Sequence, residues 1–289
     1  MRRHVLRLGL ATGLALATAA SAQTPPSWTT PRTPFKIADN LYYVGTAGIS
    51  SFLVTTSSGH VLIDGAMPTS AKSIEASIVA LGFKVRDVKI LLNTHAHFDH
   101  AGGLAELKRD TGAAMAASFG DRAALETGAY PGSEDITTLN FAPVKVDRVL
   151  RDGDTVRLGG VVLTAHITPG HTAGCTTWTF RARVAGVQRK VLVYCSTTVA
   201  ANRLASKTRG PQYPGIVANY RNTFAKLKTL KADILLAPHA EQFGMAAKLA
   251  RVSMTGPSPF VDPGELARVV AQSEADFERD LAKQEAAAR

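Results

Sequence analysis

Four residues of metal-ligating types lie within six consecutive positions of this chain. They are His95, His97, Asp99 and His100. The segment directly follows an apolar run at 90–92 that is typical of a buried strand. Alternate residues of an extended segment face the same side, so His95, His97 and Asp99 can converge while His100 enters from the turn. Imidazole nitrogens and carboxylate oxygens are ligands that Zn²⁺ accepts. The cluster therefore predicts a zinc site rather than simple packing.

Two further histidines stand in similar settings. His171 lies in a tight Pro-Gly-His turn, and His239 ends the apolar run 235–239. Taken alone, each is as compatible with a structural role as with ligation. Together the six residues suffice for two zinc ions with three protein ligands each, and open positions for a shared water are typical of a hydrolase. The remaining histidines are not expected to bind a metal: His4, His60 and His166. His166 lies beside the Pro-Gly-His turn, where structural burial is favoured over a role in orienting a ligand.

The elements that must position these residues are short strands and helices in irregular alternation. Turn residues between apolar runs predict hairpins that join 52–54 to 61–63, 156–158 to 161–163, and 176–180 to 191–194. Helical spacing of apolar residues predicts helices over 69–82, 102–110 and 216–230, and a last helix from Asp262 and Pro263. The pattern lacks strict strand–helix–strand alternation, which favours an α+β fold. We expect a single domain over residues 23–289.

Composition and charge narrow the class of protein. The chain has 289 residues, of which 45% are hydrophobic and 19% charged, which excludes a disordered or multi-span membrane protein. A basic start, an apolar run at 8–18 and a small-residue cleavage signal at 20–22 predict a secretory signal peptide over 1–22 and a periplasmic location. Both the Sec and the twin-arginine export routes stay open.

Loss of that leader removes three arginines and no acidic residue. The net charge then falls from +10 to +7, with 30 basic against 23 acidic residues. The remaining cations are scattered without a basic run, so the charge does not indicate a nucleic-acid partner. We expect no nucleic-acid partner, no membrane association once the leader is removed, and a monomer.

The string His-Ala-His-Phe-Asp-His-Ala-Gly-Gly at 95–103 resembles the signature of the metallo-β-lactamase superfamily. The resemblance extends over essentially the whole chain after the leader. It implies an αββα sandwich, in which two mixed β-sheets pack face to face with helices outside and hold two zinc ions between them. Glyoxalase II, lactonases, sulfatases and RNA-processing nucleases share the signature, so the motif alone does not define the substrate.

The segment after the strand at 190–194 separates these relatives. Many of them have an aspartate there that bridges both zinc ions, whereas this chain reads Cys-Ser-Thr-Thr at 195–198. Between His171 and His239 the sequence holds one acidic residue, Asp233, at the start of another strand. In this respect the chain resembles subclass B3 metallo-β-lactamases, which have serine where the first subclass has a zinc-binding cysteine.

That resemblance implies a zinc-dependent β-lactamase that hydrolyses penicillins, cephalosporins and carbapenems with a zinc-bound hydroxide and no covalent acyl-enzyme. The chain contains no Ser-x-x-Lys, the nucleophile motif of serine β-lactamases. The alternative is another exported dinuclear zinc hydrolase of the same fold: a lactonase, a thioesterase or a glyoxalase II-like enzyme. A non-catalytic metal-binding protein is disfavoured because a storage site has no need of open coordination positions.

The resemblance also implies a role for each site residue. It assigns His95, His97 and His171 to the first zinc, and Asp99, His100 and His239 to the second. Asp99 orients the hydroxide, so it is the predicted catalytic residue. The predicted substrate-binding residues are Ser196 and Thr198, for the substrate carboxylate, and Tyr213, for the lactam oxygen.

Two sequence features remain open. The segment 130–141, rich in glycine, threonine and serine, is interpreted as a loop over the cleft. Cys175 and Cys195 flank a predicted hairpin, and an exported protein permits a disulfide between them. We favour the interpretation that both cysteines are buried free thiols, because cysteines directly opposite each other on paired strands make strained disulfides. Cys195 is not expected to be a zinc ligand.

Overall fold

A computed structural model describes residues 24–252 and 258–289. The predicted signal peptide therefore lies outside the described residues. Among those residues, no helix is both long and apolar enough to cross a membrane.

Seven strands form the first sheet in chain order, β1 to β7. Their bounds are β1 Phe35–Ala38, β2 Leu41–Tyr43, β3 Phe52–Thr56, β4 Gly59–Ile63, β5 Val88–Leu92, β6 Ala114–Ser118 and β7 Arg148–Leu150. The successive pairs from β1 to β4 are antiparallel. The successive pairs from β4 to β7 are parallel. The change from antiparallel to parallel pairing makes this a mixed sheet.

Five strands form the second sheet, in the order β12-β11-β10-β9-β8. Their bounds are β8 Thr155–Leu158, β9 Val161–Ile167, β10 Thr176–Val184, β11 Val187–Val193 and β12 Ile234–Leu236. Only β11 and β12 pair in parallel within this described sheet. Residues Ala185 and Gly186 of the β10–β11 turn both have positive φ, 48° and 80°, which matches the twist of a two-residue hairpin.

Seven α-helices complete the described part of the chain. They are α1 Ala71–Ala80, α2 Phe98–Ala101, α3 Leu104–Thr111, α4 Phe119–Thr127, α5 Ile216–Thr229, α6 Met245–Leu249 and α7 Glu265–Ala288. The last helix starts later than predicted, because Asp262 accepts a hydrogen bond from the Gly264 N–H in a turn ahead of it. The predicted hairpins, helices and strands otherwise occur within a few residues of their expected bounds.

The two sheets pack face to face, and the alternation of strand side chains divides the apolar residues between two clusters. The first cluster lies between the sheets and extends to α5 and α7, and it includes Leu92, Trp178 and Phe277. The second cluster lies between the first sheet and α1, α3 and α4, and Leu91 belongs to it. Adjacent residues of β5 thus face opposite layers. This confirms the predicted α+β sandwich with helices outside.

Candidate metal centre

One edge of the sandwich collects the residues singled out by the sequence. Strands β9, β11 and β12 run in the same direction in the second sheet, so their carboxyl ends lie together. His171 follows β9, the segment 194–198 follows β11, and His239 follows β12. Strand β5 of the first sheet ends at the same place and leads into the cluster at 95–100. The edge is therefore built from four strand ends.

The first group of candidate ligands contains three histidines, His95, His97 and His171, and is called here the three-histidine group. One ligand nitrogen from each lies within 4.8 Å of the others. The Thr94 hydroxyl donates to the Asp64 carboxylate at 2.7 Å, so its oxygen accepts from Nδ1–H of His95 at 3.1 Å. Nε2 of His95 is left buried and without a hydrogen-bond partner. A buried imidazole nitrogen with a free lone pair is suited to a metal ion.

His171 is oriented in a comparable way from the opposite sheet. Its Nδ1 donates to the backbone carbonyl of Thr198 at 2.7 Å, which turns Nε2 toward the group. The ring centroid of His171 lies 4.6 Å from those of both His95 and His97. A second hydrogen bond that fixes the tautomer is typical of metal-ligating histidines.

The second group contains Asp99, His100 and His239 and is called here the Asp99 group. Its ligand atoms also lie within 4.8 Å of one another. Oδ2 of Asp99 lies 3.2 Å from Nε2 of His100 and 3.4 Å from Nε2 of His239, and the two Nε2 atoms are 3.2 Å apart. Neither Nδ1 atom has a hydrogen-bond partner among the described residues. The indole of Trp28 packs against His239, with centroids 5.1 Å apart.

Burial and neighbouring charges set the protonation of both groups. Burial, with mutual repulsion between the rings, holds the pKa of His95 and of His97 well below the usual range and lowers that of His171 to about 4. Burial alone would lower the pKa of His100 and raise that of Asp99. Their mutual attraction outweighs burial, so the pKa of His100 is raised and that of Asp99 is lowered. The first group is thus neutral, the form of imidazole that binds metals, and the second contains an ionised carboxylate.

Two buried carboxylates near the site escaped sequence analysis. Asp64 directly follows β4, has a φ of 65°, and accepts hydrogen bonds from Asn93 and from the backbone and hydroxyl of Thr94. Asp121 lies in the first turn of α4. Burial raises the pKa of each to about 6. The position of Asp64 directly after an apolar strand resembles that of the ligand cluster and was a usable signal, whereas Asp121 offers none beyond a helix-capping pattern with Ser118.

A cavity of about 360 Å³ opens over both groups. His97, Asp99, His171 and His239 contribute to its lining. Tyr130, Ser133 and Leu139 of the predicted cleft loop lie in its wall as well. The other residues of the lining are Trp28, Phe98, Thr198, Ala200, Ala201, Asn202, Glu241 and Gln242. A mainly apolar cavity with a few converging polar groups is the usual form of a small-molecule site.

The structure separates the three predicted substrate-binding residues. Thr198 lines the cavity. Ser196 is buried beneath it, where its hydroxyl lies 3.1 Å from the Thr198 hydroxyl and accepts from the Thr198 N–H at 3.3 Å. Tyr213 does not line the cavity, because its hydroxyl donates to the Gly170 carbonyl at 3.0 Å. Packing thus decides where each of the three hydroxyl groups points.

Cys175 and Cys195 form a disulfide, with their Cα atoms 5.8 Å apart. The preference for two free thiols was therefore wrong. The two cysteines lie just beyond the paired ends of β10 and β11 rather than directly opposite each other, which explains why a bridge is accommodated. The bond joins the residues behind the His171 turn to the segment that carries Thr198.

Comparison with known proteins agrees with this geometry. Residues 44–239 match the family model described as the metallo-β-lactamase superfamily. A subclass B3 metallo-β-lactamase of Bradyrhizobium japonicum is 50% identical, with a TM-score of 0.88 over 91% of this chain and 99% of that one. A metallo-β-lactamase of Legionella gormanii is 39% identical, with a TM-score of 0.84 over 89% and 98% of the two chains.

A more distant likeness is to a hydrolase with a different name. The hydroxyacylglutathione hydrolase of Rhodospirillum rubrum is 28% identical over 169 residues, which cover 58% of this chain and 53% of that protein. The match thus spans about half the length of that relative.

Proposed function

This chain belongs to the metallo-β-lactamase superfamily of hydrolases, and on that basis we propose that it is a zinc-dependent β-lactamase of the subclass B3 type. The observation that carries the proposal is the composition of the two ligand groups. Asp99 is the one carboxylate among the six candidate ligands. Other relatives carry a bridging aspartate in the segment after β11. In this chain that segment contains the disulfide-bonded Cys195, the buried Ser196 and Thr198.

The donor set fits two zinc ions. The three-histidine group offers neutral imidazoles, including the unpartnered Nε2 of His95. The Asp99 group offers two imidazoles and an ionised carboxylate. Zinc bound there supplies Lewis-acid polarisation of a carbonyl and makes a water molecule acidic enough to ionise near neutral pH. Three protein ligands per ion leave coordination positions open for the substrate and water, which a structural site would not need.

The side chains around the cavity account for the remaining requirements of lactam hydrolysis. The water oxygen must bond to the lactam carbonyl carbon, the C–N bond must break, and a proton must reach the nitrogen. Ionised Asp99 at the base of the cavity orients the attacking water. We assign the substrate carboxylate to the Thr198 hydroxyl on the wall, and Trp28, Phe98 and Leu139 supply an apolar part of that wall.

The hydrogen bonds of His171 support a route without an acyl-enzyme. The Thr198 hydroxyl lies 3.3 Å from Nδ1 of His171, the arrangement in which a histidine with a free Nδ1 lone pair activates a hydroxyl nucleophile. That nitrogen, however, donates its proton to the Thr198 carbonyl, so it has no lone pair with which to accept a hydroxyl proton. Thr198 is therefore not activated by His171 to attack the substrate.

The second candidate is an exported thioesterase of the glyoxalase II kind, favoured by the similarity to the hydroxyacylglutathione hydrolase. Two observations disfavour this candidate. The segment after β11 lacks a bridging carboxylate, and the match covers only 53% of that relative. We further propose that residues 23–289 form one monomeric domain exported to the periplasm, where β-lactam hydrolysis confers antibiotic resistance. The disulfide supports an oxidising compartment.

The test is a parallel assay of residues 23–289, loaded with zinc, on a penicillin, a cephalosporin, a carbapenem and S-lactoylglutathione. We expect ring opening of the lactams that a chelator abolishes and added zinc restores, with two zinc ions per chain by elemental analysis. Turnover of the thioester without lactam hydrolysis would establish the second candidate instead.

A further inference from the structure

Asp121 lies at the third residue of α4, where a capping box would return its carboxylate to the start of the helix. The Ser118 hydroxyl does accept from the Asp121 N–H, at 3.3 Å. The carboxylate, however, points into the protein. Oδ2 accepts from the Ala96 N–H at 2.9 Å and from the Thr172 hydroxyl at 2.8 Å, and Oδ1 accepts from the Gly174 N–H at 2.8 Å.

These donors belong to the two chain segments that supply the three-histidine group. Ala96 lies between His95 and His97 on the segment from the first sheet, whereas Thr172 and Gly174 follow His171 on the segment from the second sheet. A single carboxylate thus joins the two halves of the group. The residues of the Asp99 group donate no hydrogen bond to Asp121 among the described contacts.

Close packing around Asp121 leaves the two segments little freedom to separate. A Cβ added to Gly174 would lie 2.2 Å from both the Asp121 nitrogen and the Ser118 Oγ. The Ser118 hydroxyl also donates to the Gly174 carbonyl at 2.6 Å. The start of α4 therefore contacts the segment behind His171 backbone to backbone, so a shift of Asp121 would be passed directly to the histidine turn.

Asp121 is also costly to bury, which argues that the position has a role. No ion pair to Asp121 occurs among the described residues, and only 3% of the residue's surface is exposed to solvent. Burial accordingly raises its pKa to about 6, against the lowering effect of its three hydrogen bonds. An apolar residue would avoid this cost if α4 needed only to pack.

We propose that Asp121 is a positioning residue that fixes the distance between the His95–His97 segment and the His171 turn, and thereby sets the metal affinity of the three-histidine group. The inference rests on the metal-binding part of the proposed function. It does not depend on which substrate the enzyme hydrolyses.

The experiment measures the two metal dissociation constants of residues 23–289 by competition with a chromophoric chelator. In Asp121→Ala we expect the affinity of the three-histidine group to fall roughly 10- to 100-fold, the usual effect of losing a residue that orients ligands. The affinity of the Asp99 group should change less than about threefold. The absorption bands of the cobalt(II)-substituted protein should change for the first ion and not for the second.

Thr172→Val is a milder variant that keeps the protein foldable if Asp121→Ala does not fold. It removes one of the three hydrogen bonds and preserves the side-chain shape, so we expect a roughly 3- to 10-fold loss at the three-histidine group. Thr172→Ser, which restores the hydroxyl, should recover most of that affinity. A purely structural role for the threonine would not give this rescue in metal affinity.

Asp147→Asn is the matched control. Asp147 is also a carboxylate that accepts a backbone hydrogen bond, from Met115 at 2.8 Å, and it pairs with Lys108. It contacts neither ligand segment, so this variant should lower thermal stability without changing either metal constant. Equal weakening of both ions in the Asp121 and Thr172 variants, or unchanged constants in them, would overturn the inference. Normal metal constants in a wild-type protein that opens no lactam would overturn only the proposed substrate.

Discussion

The three-histidine group and the Asp99 group lie side by side, with the rings of His95 and His100 only 4.3 Å apart, but the protein supports them differently. The first is braced from behind: Asp64 acts through Thr94 on His95, and the Thr198 carbonyl fixes His171. In the second, both Nδ1 atoms lack a hydrogen-bond partner among the described residues, and an aromatic ring packs against His239.

The difference predicts that the two groups bind their metal ions with unequal affinity. Preorganised ligands lose little freedom when a metal binds, so the three-histidine group should bind its ion more tightly. The Asp99 group contains the carboxylate, and the Nδ1 atoms of its two histidines have no hydrogen-bond partner among the described residues, which suits an ion that exchanges more readily. The following changes test that contrast, from the largest expected effect to the smallest.

Removal of a braced ligand should have the largest effect. His171→Ala deletes one of three neutral donors and frees the Thr198 carbonyl, so we expect kcat/KM for a lactam to fall by about 10³-fold or more. The measurement is steady-state kinetics at fixed free zinc, with metal content in parallel. Activity within tenfold of wild type would contradict the importance of this group.

His239→Ala should be less severe. We expect the protein to keep one tightly held zinc and to lose kcat/KM by roughly 10- to 100-fold, because the three-histidine group stays intact. Zinc counting after gel filtration, compared with His171→Ala, checks the contrast. Loss of both ions in His239→Ala would show that the two groups bind cooperatively and not independently.

Removal of the disulfide tests, through the stability of the fold, how firmly the His171 turn is joined to the segment that carries Thr198. It closes a loop with a sequence separation of 20, and its removal in the double variant Cys175→Ala, Cys195→Ala should cost about 2–4 kcal/mol of unfolding free energy. Denaturant unfolding of the metal-free protein measures this. Reductant should destabilise the wild type and leave the double variant unchanged.

The pH dependence of stability should report the buried carboxylate Asp121. Its folded pKa of about 6 exceeds the ordinary value near 3.9, so its contribution to stability is fully present below pH 4 and is lost as the pH rises through 6. Relative to Asp121→Asn, the metal-free wild type should therefore lose up to about 3 kcal/mol between pH 4 and 7. Urea unfolding in chelator at both pH values measures this difference, and a wild type that gains stability relative to Asp121→Asn as the pH rises would contradict it.

Trp28→Ala should give the smallest effect, confined to the less supported group. It removes the ring that packs on His239 and part of the cavity wall, a contact worth about 0.5–1.5 kcal/mol. We expect the KM for lactams or the dissociation constant of the second zinc to rise 2- to 10-fold. Leu139→Ala, which trims the same cavity wall without removing the ring that packs on His239, is the control in which zinc affinity should not change.

Much of the fold could be predicted because its signals are local. The turn at Gly159 and Gly160 joins β8 to β9 as expected, with positive φ at both residues. The apolar run of β5 identified a buried strand, and the ligand cluster follows it directly. The start of α7 was misplaced, because a turn around Asp262 competes with a helix cap for the same hydrogen bonds.

Residues whose role depends on distant partners could not be predicted as well. Asp121 looks like a helix-capping acid in the sequence, and only packing turns its carboxylate toward Ala96 and Thr172. Tyr213 lies in the expected loop, yet its hydroxyl binds a backbone carbonyl instead of facing the cavity. The cysteine pair could be evaluated only once the offset of the two cysteines beyond the hairpin was known.

By itself, the sequence determined the donor set of His95, His97, Asp99 and His100, because these residues lie within six consecutive positions and chain connectivity keeps them close wherever the segment lies. The extended alternation expected through Asp99 was wrong, since Asp99 and His100 lie in α2 and belong to the other ligand group. The tertiary structure decided that His171 and His239 join them. Those residues come from strands of the other sheet, and their distances are set by how the two sheets pack and by the hydrogen bonds that cross between them. Those same cross-sheet contacts hold His171 through its Nδ1, whereas neither Nδ1 atom of the Asp99 group has a hydrogen-bond partner among the described residues.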